Sequence, residues 1–279
     1  MEECKLEIDN LNDLRELSKK MRKKILEMAL YAGASSSHFG GALSSVDIIA
    51  TLFGKIMNFN KNNFQNPERD RFILSKGHGC LVYYSILNIL NIINDDELKT
   101  FEKDDSKLLG HPVKSQKIGI DFSTGSLGMG FSLAIGVAIA LKKKKLNNKV
   151  FVLLGDGECN EGSIWEAALC APNLKLNNLT VIIDNNKFQQ TGSNKEIMNT
   201  HDLEKKWSSF NWITKKVDGH NHKEIFEALN LTEEKLPKAI ICNTIKGKGF
   251  SFSENNNDWH HKIMTKDNYE LALKELEND

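Results

Sequence analysis

Two short aliphatic runs, Val150 to Leu154 and Leu179 to Ile183, constrain this chain most, because each runs into a loop suited to holding a ligand. Gly155-Asp156-Gly157 follows the first and Asp184-Asn185-Asn186 the second, with a helix-like segment, Ile164 to Ala171, between them. Strand, helix, strand is the βαβ unit, and its crossover makes the two strands parallel. Both loops therefore fall at the carboxyl ends of parallel strands, where open α/β sheets bind ligands. There the Asp156 carboxylate, the Asn186 amide oxygen and a loop carbonyl offer the hard oxygen donors that Mg2+ prefers. Gly155 and Gly157 let backbone N–H groups approach a diphosphate that a Cβ would crowd. A GDG tripeptide alone marks only a tight turn after a strand; its pairing with Asn186 at crossover distance points to a site. No GxGxxG and no GxxxxGK[ST] occurs, so nucleotide sites of those kinds are excluded.

The rest of the chain fits the same architecture. Leu11, Leu14, Leu17, Met21, Ile25 and Met28 recur at helical spacing, so Asn10 to Gly33 is predicted as an amphipathic helix with Lys and Arg on its wet face. A second helix is expected over Val46 to Met57 behind the possible caps Ser44 and Ser45, and another over Leu81 to Ile93. Phe131 to Leu141 reads as a buried helix, and the run Lys142 to Lys145 as its solvated, dipole-matched end. Trp212 to Val217, His222 to Leu229 and Ala239 to Thr244 repeat the strand, helix, strand pattern. Lys266 to Glu277 is polar and helical. The expectation is an α/β fold, a mostly parallel sheet with helices on both faces, in a single domain over residues 1–279.

Composition removes several functional classes. Thirty-seven Lys and Arg balance 37 Asp and Glu, so no net field draws nucleic acid or an anionic membrane. The five cysteines contain no CxxC, which suggests neither a disulfide framework nor a zinc site and fits a reducing cytoplasm. Acids at Glu2, Glu3, Glu7 and Asp9 stand where an export signal has basic residues, so export and membrane spanning are not expected.

Further short motifs bear on the family. GDGECNEG with IIDNN resembles the signature of thiamine-diphosphate enzymes. Ser36 to Gly41, Leu74 to Gly79, Gly110-His111-Pro112 and Thr124 to Gly130 resemble in order the SGHPGG, LSKGHG, GHP and TGSLGQG elements of transketolases. Thr244 to Gly249 and Trp259-His260 look like the TxKGKG and WHG elements of that family, with His261 where it has Gly and Met129 where it has Gln. The resemblance runs from about residue 10 to about residue 265.

Thiamine diphosphate and Mg2+ are the cofactors that the resemblance implies, and ketol transfer between sugar phosphates is the reaction. Asp156, Asn186 and the backbone of Phe188 then hold the metal. Gly125, Ser126, Leu127, Gly155, Gly157, Glu158 and Lys246 border the cofactor, with His78 and His260. His38, His78, His111 and His260 face the reacting sugar, where neutral-range pKa values would suit proton shuttling. Glu161, with Glu166 beyond it, falls where the family has carboxylates at a subunit interface. The glutamate that activates the cofactor lies, in the family, on a pyrimidine-binding domain. The resemblance therefore implies a companion C-terminal transketolase subunit carrying that domain, in a heterotetramer. Subunits of related thiamine enzymes, such as 1-deoxyxylulose-phosphate synthase, and a non-catalytic relative are the alternatives.

Overall fold

The computed structural model describes residues 10–231 and 235–278; Cys4 and the N-terminal acids lie outside them. In chain order the elements begin with helices α1 (Leu11–Ala32), α2 (Phe39–Leu43) and α3 (Val46–Thr51), strand β1 (Arg71–Leu74), and helices α4 (Cys80–Ile89), α5 (Asp95–Leu98) and α6 (Met129–Lys143). Strand β2 (Val150–Gly155), helix α7 (Gly162–Asn173), strands β3 (Leu179–Asn185), β4 (Phe188–Gln189) and β5 (Gly192–Ser193), and helices α8 (Asn194–Ile197) and α9 (Leu203–Ser209) follow. Strand β6 (Ile213–Asp218), helix α10 (His222–Leu229), strand β7 (Lys238–Asn243) and helix α11 (Lys266–Asn278) complete the order.

Five strands form one parallel sheet in the order β1-β2-β3-β7-β6. Successive strands step inward from the β1 edge to the central β3, then the chain jumps to the far edge at β6 and returns to β7. The reversal sets β3 beside β7 as the switch point of the sheet. Alternate side chains feed two cores. Phe151, Leu153, Ile182 and Ile240 pack with α1, α3, α4 and α10, whereas Val152, Leu154, Val181 and Ile241 pack with α6, α7 and α9. Helices thus cover both faces, as the pattern required.

Local chemistry explains most boundaries and several departures. Asn10 caps α1 by accepting from the Asn12 and Asp13 N–H groups, and the Asp13 carboxylate accepts the Asn10 N–H in return. The expected wet face of α1 is broken at Arg22, which is buried and paired with Asp47 at 2.7 Å. The helix expected over Val46 to Met57 is α-helical only to Thr51 and then widens into a π turn, Leu52–Ile56. Ser44 and Ser45 do not cap it; their hydroxyls donate to the Asp184 carboxylate and to Gly41 O. The helix expected to reach Ile93 ends at Ile89, because Asn91 turns left-handed and the Asn88 amide bonds Ile93 O and Asp95.

Helix α6 is buried on one side only, since Met129, Ser132, Gly136 and Ala140 form an exposed stripe opposite Phe131, Ala134 and Ala138. Its lysine end is solvated, with Lys142 donating to Lys175 O and Asn177. Among the described residues one stretch, Phe39–Ile56, is long and apolar enough to cross a membrane, but 83% of it is buried inside the fold. It serves as core.

Leu153 is fully buried on β2, between the sheet and the helices of the larger core. Leu153→Ala should cost about 3 kcal/mol of unfolding free energy in urea titrations. A cost under about 1 kcal/mol would contradict the close packing described.

Candidate active site

Strands β1, β2, β3 and β7 all end at one edge, and the loops that follow them converge there. Their centre is a buried ion pair. The Lys76 ammonium, 1% exposed, lies 2.5 Å from the fully buried Asp184 carboxylate at the end of β3. Lys76 also donates to Gly41 O at 2.7 Å and to Ser45 Oγ at 3.1 Å. Asp184 accepts from Ser44 Oγ at 2.6 Å, from the Asn186 amide at 3.0 Å and from Thr244 Oγ1. Burial pushes the Asp184 carboxyl up, but Lys76 and the Ser44 and Thr244 hydroxyls outweigh it and hold it below the usual range. One pair thus ties together the loops of His38, His78, Asn186 and Lys246.

Glu158 performs a similar task one layer away. Its carboxylate accepts from Ser75 Oγ at 2.5 Å, Gly128 N at 2.9 Å and Gly155 N at 3.1 Å. Burial raises its pKa, and the three donors oppose that. Expected as a cofactor contact, Glu158 has its carboxylate turned inward and fixes three site loops. Two glycines are indispensable to this packing. A Cβ on Gly77 would lie 2.7 Å from Gly125 N, and Gly128, at φ +83°, would set one 2.4 Å from Ser163 Oγ.

The four histidines meet. His38 is central, with ring centroids 5.4 Å from His78, 5.6 Å from His111 and 5.3 Å from His260, and His78 is 5.5 Å from His260. His261 joins them at 4.4 Å from His38, more exposed than His260 and bonded to Ser36 Oγ. Both residues of the pair therefore face the cluster, His260 on its inner side against Lys246 and His261 on its outer lip. Burial, then the neighbouring His261, His111 and Lys246, lowers His38 to about 4. Burial and Lys246 lower His260 to about 3, and burial with Lys76 sends His78 well below its ordinary value. The neutral-range titration expected for these histidines is thus corrected. At pH 7 these three are neutral imidazoles, each with one N–H donor and one acceptor nitrogen.

Beside them lies the oxygen-donor set. Asp156 is buried, its carboxylate accepting from Gly157 N at 2.9 Å and Lys187 N at 2.6 Å. Burial, and then the charge of Asp184, raises it to about 6. A divalent cation would relieve that penalty by favouring the ionised form. The Asn186 amide nitrogen is committed to Asp184, which leaves its Oδ1 as the end available to a cation; Oδ1 here accepts the Phe188 N–H at 3.1 Å. Among the described residues no three His, Cys, Asp or Glu side chains are grouped to hold a metal ion; the oxygen donors here are one carboxylate, one amide and a loop carbonyl. Lys246, 1% exposed, donates to Asn257 at 2.6 Å, contacts His260 Nδ1 at 2.9 Å and lies over the Phe188 ring. Burial, then the charge of Lys76, lowers it to about 8. Ser37 Oγ, Thr124 Oγ1 and both amide atoms of Asn194 are buried here without hydrogen-bond partners. Glycine-flanked oxygen donors, a buried lysine and orphaned polar atoms fit a metal-bound diphosphate.

Gly125 is half-buried, with its Cβ position against the His111 ring, while Ser126 and Leu127 are exposed on the open edge. Glu161 does not join the histidines. It is exposed at the start of α7, against Gly128, and makes no side-chain cap, and Glu166 is exposed one turn on. Lys76, Asp184 and Asn194 were not foreseen, because a lysine and an aspartate in sequence carry no mark of mutual burial.

The family described as transketolase, thiamine diphosphate binding domain, matches residues 16–278. The chain belongs to the transketolase family. It is 41% identical over 269 residues to one subunit of the apulose-4-phosphate transketolase of Actinobacillus succinogenes, covering 96% of this chain and 97% of that one. It is 38% identical over 269 residues to a 6-deoxy-6-sulfo-D-fructose transketolase subunit of Clostridium sp., with the same coverage. Transketolase from Campylobacter jejuni superposes with a TM-score of 0.88 at 27% identity, over 96% of this chain and 43% of that enzyme. This transketolase-family chain thus spans nearly all of the separate subunits but under half of the longer enzymes. These relatives are named as subunits, and the matched family model describes a thiamine diphosphate binding domain.

Lys76→Met leaves Asp184 buried without its cation and should cost about 3–5 kcal/mol in urea unfolding; a loss below about 1 kcal/mol would show the pair is not the anchor. For His38 the unfolded chain titrates near 6.5 and the folded one at about 4. Between these values the unfolded state binds more protons, so this contribution to stability falls as pH falls. The unfolding free energy of His38→Gln should therefore decline less between pH 6.5 and pH 4 than that of the wild type, and parallel curves would contradict a His38 held neutral.

Proposed function

We propose that this chain is the N-terminal subunit of a two-chain transketolase, acting with thiamine diphosphate and Mg2+. It moves a two-carbon ketol unit from a ketose to an aldose, each bearing phosphate or a comparable anion. The carrying observation is the convergence of His38, His78, His111 and His260 on one point beside the Asp156 and Asn186 donors. Relatives named for a sugar phosphate and for a sulfo sugar support an anionic ketose as substrate class.

When bound, thiamine diphosphate supplies a carbon nucleophile and an electron sink for breaking the bond beside a ketose carbonyl. Asp156, Asn186 and the Phe188 carbonyl would hold the metal, and the Gly155 to Gly157 backbone the diphosphate. Neutral His38, His78 and His260 donate to and accept from sugar hydroxyls and exchange their protons without placing a fixed cation in the pocket. Lys246 offers a buried ammonium to the anionic side of the site. His261, where the family has glycine, narrows the mouth beside His38.

The companion is proposed to be a C-terminal subunit whose pyrimidine-binding domain brings the activating carboxylate, in a heterotetramer. Exposed Leu127, Met129, Ile197 and Met198 give it an apolar surface near the open edge. A cytoplasmic location is part of the same proposal, in keeping with Cys80, Cys159, Cys170 and Cys242, which are all unpaired.

The test is two-carbon transfer between sugar phosphates by the purified chain, by the companion and by the pair. Only the pair should turn over, and Asp156→Ala in the pair should lower the rate at least about 100-fold. Full activity of the chain alone would overturn the split enzyme. Release of CO2 from pyruvate in place of ketol transfer would move the assignment to a decarboxylating relative.

A further inference from the structure

Asn194 opens α8, and its backbone N–H donates to Lys187 O at 2.8 Å, so the residue is pinned to the loop that carries Asn186 and Phe188. Its side chain is 4% exposed, yet neither Oδ1 nor Nδ2 has a partner within normal hydrogen-bond geometry, the Asp156 carboxylate being the one group it reaches toward. A primary amide brings one acceptor oxygen and two N–H donors. Burying it unpaired costs folding free energy that an apolar side chain of the same volume would not incur. Unlike the neighbouring hydroxyls of Ser37 and Thr124, a planar amide cannot find a partner by swinging one proton. Its surroundings show what is missing. A Cβ on Gly157 would lie 3.6 Å from Asn194 Oδ1, and the amide stands beside the Asp156 carboxylate. The orphaned amide therefore borders the glycine loop and the carboxylate proposed for the metal.

We infer that Asn194 is a further ligand-facing residue of this site, its amide hydrogen-bonding the oxygen shell of a Mg2+-bound diphosphate. The two N–H donors suit phosphate oxygens, and Oδ1 suits a metal-bound water, which can only donate. Beyond its reach toward Asp156 the protein's own groups offer the amide no partner, and a diphosphate oxygen or metal-bound water would supply one. The inference rests on the thiamine-diphosphate reading of the site.

The pair of subunits carrying Asn194→Leu or Asn194→Ala, the second covering a leucine that fails to fold, is compared with the wild type by calorimetry and thermal melting. The titrants are Mg2+ with thiamine diphosphate and Mg2+ with inorganic pyrophosphate. Affinity for both should fall about tenfold, and the melting-temperature rise on adding cofactor should shrink. Without cofactor the leucine variant should melt no lower than the wild type. Wild-type affinity in both variants would overturn the inference, as would a loss for thiamine diphosphate without one for pyrophosphate. A wild-type pair that binds neither titrant would overturn the proposed function itself.

Discussion

The loops of His38, His78, Asn186 and Lys246 are all referred to one buried charge pair. Lys76 and Asp184 sit at the carboxyl edge of the sheet, both almost wholly out of water, and a pair so placed holds only when the remaining donors and acceptors are met. Here Gly41 O, the Ser44, Ser45 and Thr244 hydroxyls and the Asn186 amide meet them. These come from several separate stretches of chain, so the geometry of the histidine pocket is coupled to the electrostatics beneath it. Glu158 repeats the device with three further donors, and together the two carboxylates fix the edge.

That scaffold explains why the histidines differ from free ones. Five imidazoles and two buried ammonium groups compete for positive charge in a partly dry space, and the rings of His38, His78 and His260 yield it. A neutral cluster can pair with sugar hydroxyls in either direction, which a cationic one cannot. The positive charge is kept instead on Lys246, against the ring of Phe188 and facing the oxygen donors. The sharing of roles between neutral rings and one ammonium is a property of the assembled pocket, not of any residue type.

The same edge is unfinished. Apolar side chains stand exposed around it, α6 shows solvent a stripe of small residues, and buried polar atoms lack partners in three of its loops. A fold that is elsewhere close-packed tolerates such features where something else is to be seated. Stability in this chain is concentrated in the two cores behind the sheet, while the carboxyl edge keeps groups whose bonds remain to be made.

Much of this was legible along the chain. The parallel sheet, helices on both faces and the crossover between Asp156 and Asn186 follow from periodicity, β-branched runs and glycine spacing, because these are local consequences of backbone geometry, whereas the histidine loops were legible through their resemblance to transketolase motifs. Helix ends were less legible: Ser44 and Ser45 had the composition of caps but were drawn to Asp184 instead. Arg22 read as a wet cation and is buried, since only the fold shows that Asp47 waits opposite. The inward turn of Glu158 and the depressed histidines depend on burial, which no short motif encodes. By itself, then, the sequence determined which groups are present and at which end of the strands they stand. Tertiary structure alone decided which of them lose water together, and in so doing set their charge and their partners.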